Sequence, residues 1–121
     1  GVKMALSKDQ ILNANDLKIE EVQVPEWGGS VFVRGMTGSE RDKYEASVTK
    51  LRGKEAQVDM RNMRAKLLVY TVCDESGTPL FSEADIEALG KKSANALQRL
   101  WEVAVRLSGI SGQEAEEIEK N

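Results

Sequence analysis

The chain has 121 residues, of which 40% are hydrophobic and 31% charged, with a net charge of -3 at neutral pH. That length suits one domain with its own core, and the mix excludes a disordered chain. The slight acidity offers no global field for nucleic acid or anionic lipid, no apolar run approaches the ~20 residues of a membrane helix, and the single Cys73 excludes an internal disulfide.

Gly1–Lys3 reads as a cloning remnant ahead of a natural start at Met4, and no secretory apolar region follows, so a reducing cytoplasm is expected. Residues 7–15 are polar around Ile11 and Leu12 and fit a short helical turn. Strand alternation begins at Leu17 and Ile19 and resumes at Val22 and Val24, one residue out of phase, which predicts a bulge near Glu20-Glu21. Pro25 ends that strand, Gly28-Gly29 turns the chain, and Val31-Phe32-Val33 returns as the second strand of an antiparallel hairpin.

Thr37 with Glu40 has the spacing of a capping box. The helix it opens carries Tyr44, Val48 and Leu51 on one face and is expected to close at Gly53. A central core helix is predicted from Gln57 to Cys73, on the spacing of Met60, Met63, Leu67 and Tyr70. Asp74–Pro79 reads as a turn, and Ser82–Gly90 as a short capped helix facing inward with Ile86 and Leu89. A longer helix follows from Ser93 to Ser108, striped with Leu97, Leu100, Trp101, Ala104, Val105 and Leu107, with Gly109 at its C′ position. The expected fold is α+β, mainly α: an N-terminal β-hairpin followed by about four helices. The organisation is residues 1–3 as remnant, 4–110 as a single α+β domain, and 111–121 as an acidic C-terminal tail.

Chemistry is scarce. With no histidine and one cysteine, neither the commonest general base nor a zinc site of the usual ligands is available. Cys73 lies in the apolar LLVYTVCD run, where a buried structural thiol is expected. The Asp74–Gly77 segment lacks the ligand spacing of a calcium loop, and the glycines match no phosphate-binding or dinucleotide pattern. The acidic side chains read as solvated helix charges, Glu40 with Lys43 among them. No catalytic, cofactor-binding or metal-binding residue is therefore assigned. Arg41, Lys43, Lys50, Arg52, Lys54, Arg61, Arg64 and Lys66 make residues 41–66 locally basic. Glu40, Asp42, Glu45, Glu55 and Asp59 interleave with them, as on a solvated face.

Three segments carry a family likeness: VPEWGG…VFVRGMTGSER at Val24–Arg41, LFSEADIEAL at Leu80–Leu89, and the LSG that closes the last helix at Leu107–Gly109. In these the chain resembles the small tail assembly chaperones of long-tailed bacteriophages and prophages. The resemblance implies a non-enzymatic protein that acts in the host bacterial cytoplasm during virion assembly and is absent from the mature virion. Its implied partners are the tape measure protein, which it would keep soluble, and the tail tube protein, which it would recruit, with self-association besides. Membrane and nucleic acid are not expected partners. The rival readings are a structural virion component of the head–tail connector or tail terminator type, and, third, a small DNA-associated regulator.

The partner-binding candidates are Trp27, Phe32, Met60, Met63, Glu116 and Glu117. Trp27 either folds back over the hairpin, the preferred reading, or stands out as an aromatic anchor for a partner or a second copy. Phe32 would mark a hairpin edge open to strand addition. Met60 and Met63 read first as core filler, as methionines at helical spacing more often are, with a pliable contact surface as the alternative. Glu116 and Glu117 lie in the acidic tail, which in the family reading leads into a longer product made by ribosomal frameshifting. Glu119-Lys120-Asn121 would then be encoded by a slippery adenine run. Reading the message across these codons checks this, and the absence of such a run removes slippage at that place.

Overall fold

The computed structural model describes residues 4–110. The first element, α1 (Lys8–Asn13), is a single helical turn closed by a reciprocal capping box between Ser7 and Gln10. None of its residues is buried.

Strands β1 (Ile19–Val24) and β2 (Gly29–Arg34) form the expected antiparallel hairpin. A 3-10 turn at Pro25–Trp27 joins them, and Gly28 closes it with φ +77°, a conformation that costs glycine little. Gly29 already belongs to β2, so one glycine makes the reversal rather than two. The bulge expected near Glu20-Glu21 is absent: pairing runs unbroken from Ile19 opposite Arg34 to Val24 opposite Gly29. The phase shift is absorbed by the faces of the sheet instead. Ile19 stays on the outer face beside Gly77, and Glu20 takes the inner-face position at the strand end, where it reaches Arg106.

The capping box of Thr37 and Glu40 opens α2 (Gly38–Ser47) as predicted. The helix stops at Ser47 rather than Gly53. Ser47 Oγ donates to the Tyr44 carbonyl and Thr49 Oγ1 to that of Glu45, local bonds that compete with a continuing helix. In place of a longer helix stands a second hairpin, β3 (Thr49–Arg52) and β4 (Glu55–Val58), turning on Gly53-Lys54 with Gly53 at φ +62°. A two-residue loop with glycine first is a favoured hairpin connection. The predicted helix from Gln57 to Cys73 is thus cut at both ends. Its helical part is α3 (Met63–Thr71), entered through Asn62 in the left-handed region, and Val72-Cys73 form β5. β5 pairs antiparallel with β2, giving a three-stranded sheet in the order β1-β2-β5.

After the turn at 74–79, a 3-10 turn at Glu83–Asp85 leads into α4 (Ile86–Gly90). Asp74 Oδ1 accepts the amides of Ser76 and Thr78, which ties that turn to itself. Then α5 (Ala94–Leu107) runs as predicted from its Ser93 cap. It ends in paired bonds from Gly109 N to Arg106 O and from Ile110 N to Val105 O, a Schellman closure with Gly109 at φ +72°.

The core lies between the inner face of the sheet, α5 laid on β1 and β2, and α3 packed on α5. Val22, Val24, Val33, Leu67, Leu68 and Leu100 fill it, with Trp101 only 2% exposed. Burying each such side chain contributes roughly 1.5–3 kcal/mol. Tyr44 of α2 leans on Trp101 with ring centroids 6.3 Å apart, and the Arg64 guanidinium stands 6.0 Å from the Trp101 ring. Cys73 is buried, as expected, although on β5 rather than on a helix, and burial pushes its thiol up.

One polar cluster sits inside this apolar frame. Arg34, 5% exposed, donates Nε to the Gly77 carbonyl, Nη1 to the Gly35 carbonyl, and both Nη atoms to the two Glu40 oxygens at 2.9 Å. Glu40 also accepts the Thr37 amide. It therefore faces inward to Arg34, not outward to Lys43 as the helical spacing implied. Desolvation pushes the Glu40 carboxyl up, but the Arg34 and Thr37 hydrogen bonds outweigh it and hold the group below its ordinary value. Beside the cluster, a Cβ on Gly35 would stand 2.5 Å from the Leu107 carbonyl oxygen, so strand end and helix end meet backbone to backbone.

Two outcomes follow for stability. Glu40→Gln strands a buried guanidinium and is expected to cost about 3 kcal/mol in chemical denaturation. Because the folded carboxyl titrates below its unfolded value, the contribution of Glu40 is present at neutral pH and is lost as pH falls below 4.5. The wild-type advantage should accordingly shrink in acid. The Tyr44 hydroxyl, by contrast, is buried with no hydrogen-bond partner among the described residues. Tyr44→Phe should be neutral or stabilising by about 1 kcal/mol, a rise of roughly 4 °C in Tm by calorimetry.

Candidate partner-binding surface

Among the described residues, no group of three or more His, Cys, Asp or Glu side chains is placed to hold a metal. Among the described residues, exposed apolar surface gathers in four places, apart from Ile19 and Leu80.

The first is a groove of ≈ 550 Å³ where the start of α3 meets the end of α4 and the start of α5. Met60, Met63, Arg64, Gly90, Leu97 and Gln98 are among the residues that line it. Sequence spacing pairs Met60 with Met63 and favours core filling over a contact surface for both. They divide between the two: Met63 is buried and Met60 is 38% exposed. Met60 precedes α3 because the chain turns through Asn62, and that turn lays the two thioethers along one groove. Arg64 is held across the groove by Gln98 Oε1 as well as over Trp101.

A second groove, of ≈ 500 Å³, opens beside Trp27 and is lined by Phe81, Ala88 and Leu89, with Glu26, Asp85 and Lys92 around it. Trp27 follows the preferred reading, half-buried against the core, and it borders this groove. Its turn is fixed from behind by Arg99, whose two Nη atoms bond the two Glu26 oxygens at 2.8 and 2.9 Å. The Arg99 hydrogen bond, with the backbone amide, holds the Glu26 carboxyl at about 2, so the clamp is charged across the physiological range. Phe81 sits in the LFSEADIEAL segment. Its proximity to Trp27 comes from the turn at 74–80 and has no signal in local spacing.

The third place is the hairpin of β3 and β4. Thr49, Leu51, Ala56 and Val58 share one face by register, and Lys50, Arg52, Glu55 and Gln57 the other. Leu51 is 74% exposed, whereas helical spacing had placed it on a buried face. The fourth is the N-terminal segment, where Met4, Leu6, Ile11 and Leu12 are all exposed.

Phe32 is not at an edge. β2 is the central strand of its sheet, and Phe32 pairs with Glu21 on one side and Cys73 on the other. The free edge of the hairpin is β1. Glu116 and Glu117 lie outside the described residues. The basic stretch does not form one patch either. Arg61 bonds Asp59, Arg41 pairs with Glu45, and Lys66 donates to the Ser47 carbonyl. Lys43, Lys50, Arg52 and Lys54 are exposed.

The family model for the phage tail assembly chaperone matches residues 7–121. The chain belongs to that family. The fold agrees: the solved tail assembly chaperone of bacteriophage HK97 superposes with a TM-score of 0.59 at 23% sequence identity, over 82% of this chain and 94% of that one. No curated protein matches the sequence significantly. No helix among the described residues is long and apolar enough to cross a membrane.

Proposed function

We propose that this chain sheathes the tape measure protein in the cytoplasm of the infected host, keeps it soluble, and recruits tail tube subunits, without entering the finished virion. The observation that carries the reading is the groove of Met60 and Met63. A tape measure protein is a long helix with apolar faces, and its bare stretches have many different sequences. A groove edged by a flexible thioether adapts to such faces, and its polar partners Arg64 and Gln98 accept the charged flanks of an amphipathic helix. Methionine-bearing surfaces bind many sequences moderately rather than one sequence tightly, which suits a coat that must later be displaced.

Co-expression with the tape measure protein of the same gene cluster, followed by size exclusion with light scattering, tests this. The expected result is a soluble complex with many copies of this chain on each client. Met60→Glu, at an exposed position, should leave the melting temperature within about 2 °C and reduce client capture at least tenfold. An insoluble client beside a chaperone eluting alone overturns the reading. Recovery of the chain from purified particles favours a structural virion component instead.

A further inference from the structure

Arg64 and Lys92 are the charged side chains that line the groove of Met60, and both are cations. Neither has an ion-pair partner among the described residues. Arg64 donates Nε to the neutral Gln98 Oε1 and stands over the Trp101 ring, and neither contact cancels its charge. The carboxylates around the groove stay outside its lining and have partners of their own. Gln98 donates to Glu102, and Asn62 donates to Glu87, which lines a neighbouring polar pocket. Beyond Lys92, Glu26 and Asp85 border the groove beside Trp27, where Arg99 and the Ser82 amide hold them. The groove of Met60 is therefore locally positive on a chain that is acidic as a whole. Two helix starts add to the field that these side chains set. Arg64 and Ala65 lie in the first turn of α3, Ala94 and Asn95 in that of α5, and all four line the groove. Their amides have no acceptor among the described residues, and such first-turn amides carry the positive end of the helix dipole.

We infer that the groove selects acidic amphipathic helices of the client, with apolar side chains against Met60 and Leu97 and Asp or Glu side chains against Lys92 and Arg64. This rests on the reading of the groove as the client surface, and it names the chemistry of the segment that enters. A carboxylate placed there pairs with cations that have no acidic partner, so no ion pair within the chain is broken to receive it. An incoming Lys or Arg meets two like charges and no carboxylate in the lining, which turns basic segments away. Apolar contact then supplies the tolerance for many sequences, and the sign of the charge supplies the choice among them.

Titration of the full chain into three labelled helical peptides tests this, read by fluorescence anisotropy. The peptides share one leucine stripe, flanked by Glu in the first, Gln in the second and Lys in the third. At about 0.01 M salt the Glu peptide is expected to bind about tenfold tighter than the Gln peptide, and the Lys peptide more weakly still. These differences should close near about 1 M salt. The net charge of -3 favours the opposite order, so the expected ranking reports the groove and not the whole chain. Lys92→Glu lies at an exposed position, keeps the fold, and should abolish the preference for the Glu peptide. A Glu peptide that binds no better than the others, or a preference that Lys92→Glu leaves intact, overturns the inference. Met60→Ser then shows what else falls. If it weakens all three peptides alike, the groove stands as the client surface without a choice of charge; if it changes none, the reading of the groove falls as well. Should Met60→Ser instead reduce self-association of the chain in sedimentation, a second copy occupies the groove, which overturns the client as its occupant.

Discussion

The ion pair of Arg34 and Glu40 is the constraint around which the rest is arranged. A guanidinium that is 5% exposed must satisfy its donors from the chain, and four of its five N–H groups do so on Gly77, Gly35 and both oxygens of Glu40. Those acceptors come from the end of the central strand, the loop after β5, and the first turn of α2. One side chain therefore ties the strand end and the neighbouring first turn of α2 to a loop 43 residues farther along the chain. Such a pair contributes little by replacing hydrophobic packing, since desolvation consumes much of the Coulombic gain. Its effect is directional: only one placement of α2 presents Glu40 to Arg34 while Thr37 still caps the helix.

With α2 placed, Tyr44 meets Trp101 and the remaining layers follow. α5 lies on β1 and β2 of a small sheet and α3 packs on α5, and the apolar side chains of both are spent in that core. The surfaces left over are those at the periphery: the N-terminal turn, the corner at Trp27, the groove at Met60, and the second hairpin. A two-stranded hairpin is marginal in isolation, and β3 with β4 is joined to the body mainly at its root, where Asp59 N donates to Val48 O. The chain thus separates a packed centre from a rim where apolar side chains are wholly or partly exposed.

Legibility in the sequence followed the range of the forces. The first hairpin, the capping box of α2, the short α4 and the whole of α5 with its glycine closure rest on local spacing, and all four were readable. The second hairpin was not. Lys50, Leu51 and Arg52 have ordinary helix propensity, and Tyr44, Val48 and Leu51 fit helical spacing, so a pattern of period 3.6 outweighed the Gly53-Lys54 turn signal. The predicted bulge failed for another reason: an isolated exposed isoleucine on the outer face is cheaper than a broken ladder, and its cover comes from Gly77, far along the chain. Of the candidate site, Trp27, Met60 and Met63 were visible as residue types. Their groove partners Phe81, Leu97 and Lys92 were not, because tertiary packing alone brings them together. Arg34 had a faint signal, a cation ending a strand of apolar residues six positions before an N3 glutamate.

The glycine at position 35 adds something about inheritance. The seam between the end of β2 and the end of α5 is made of main chain on both sides, with the Leu107 carbonyl standing where a side chain would otherwise lie. Side chains drift among relatives, and a seam built from them drifts too, opening or tilting with each change of volume. A main-chain seam has no volume to vary. Copies whose cores have diverged would still deliver Ile110 to the same point beside the sheet, so that point serves as a fixed mooring for any segment that continues from it.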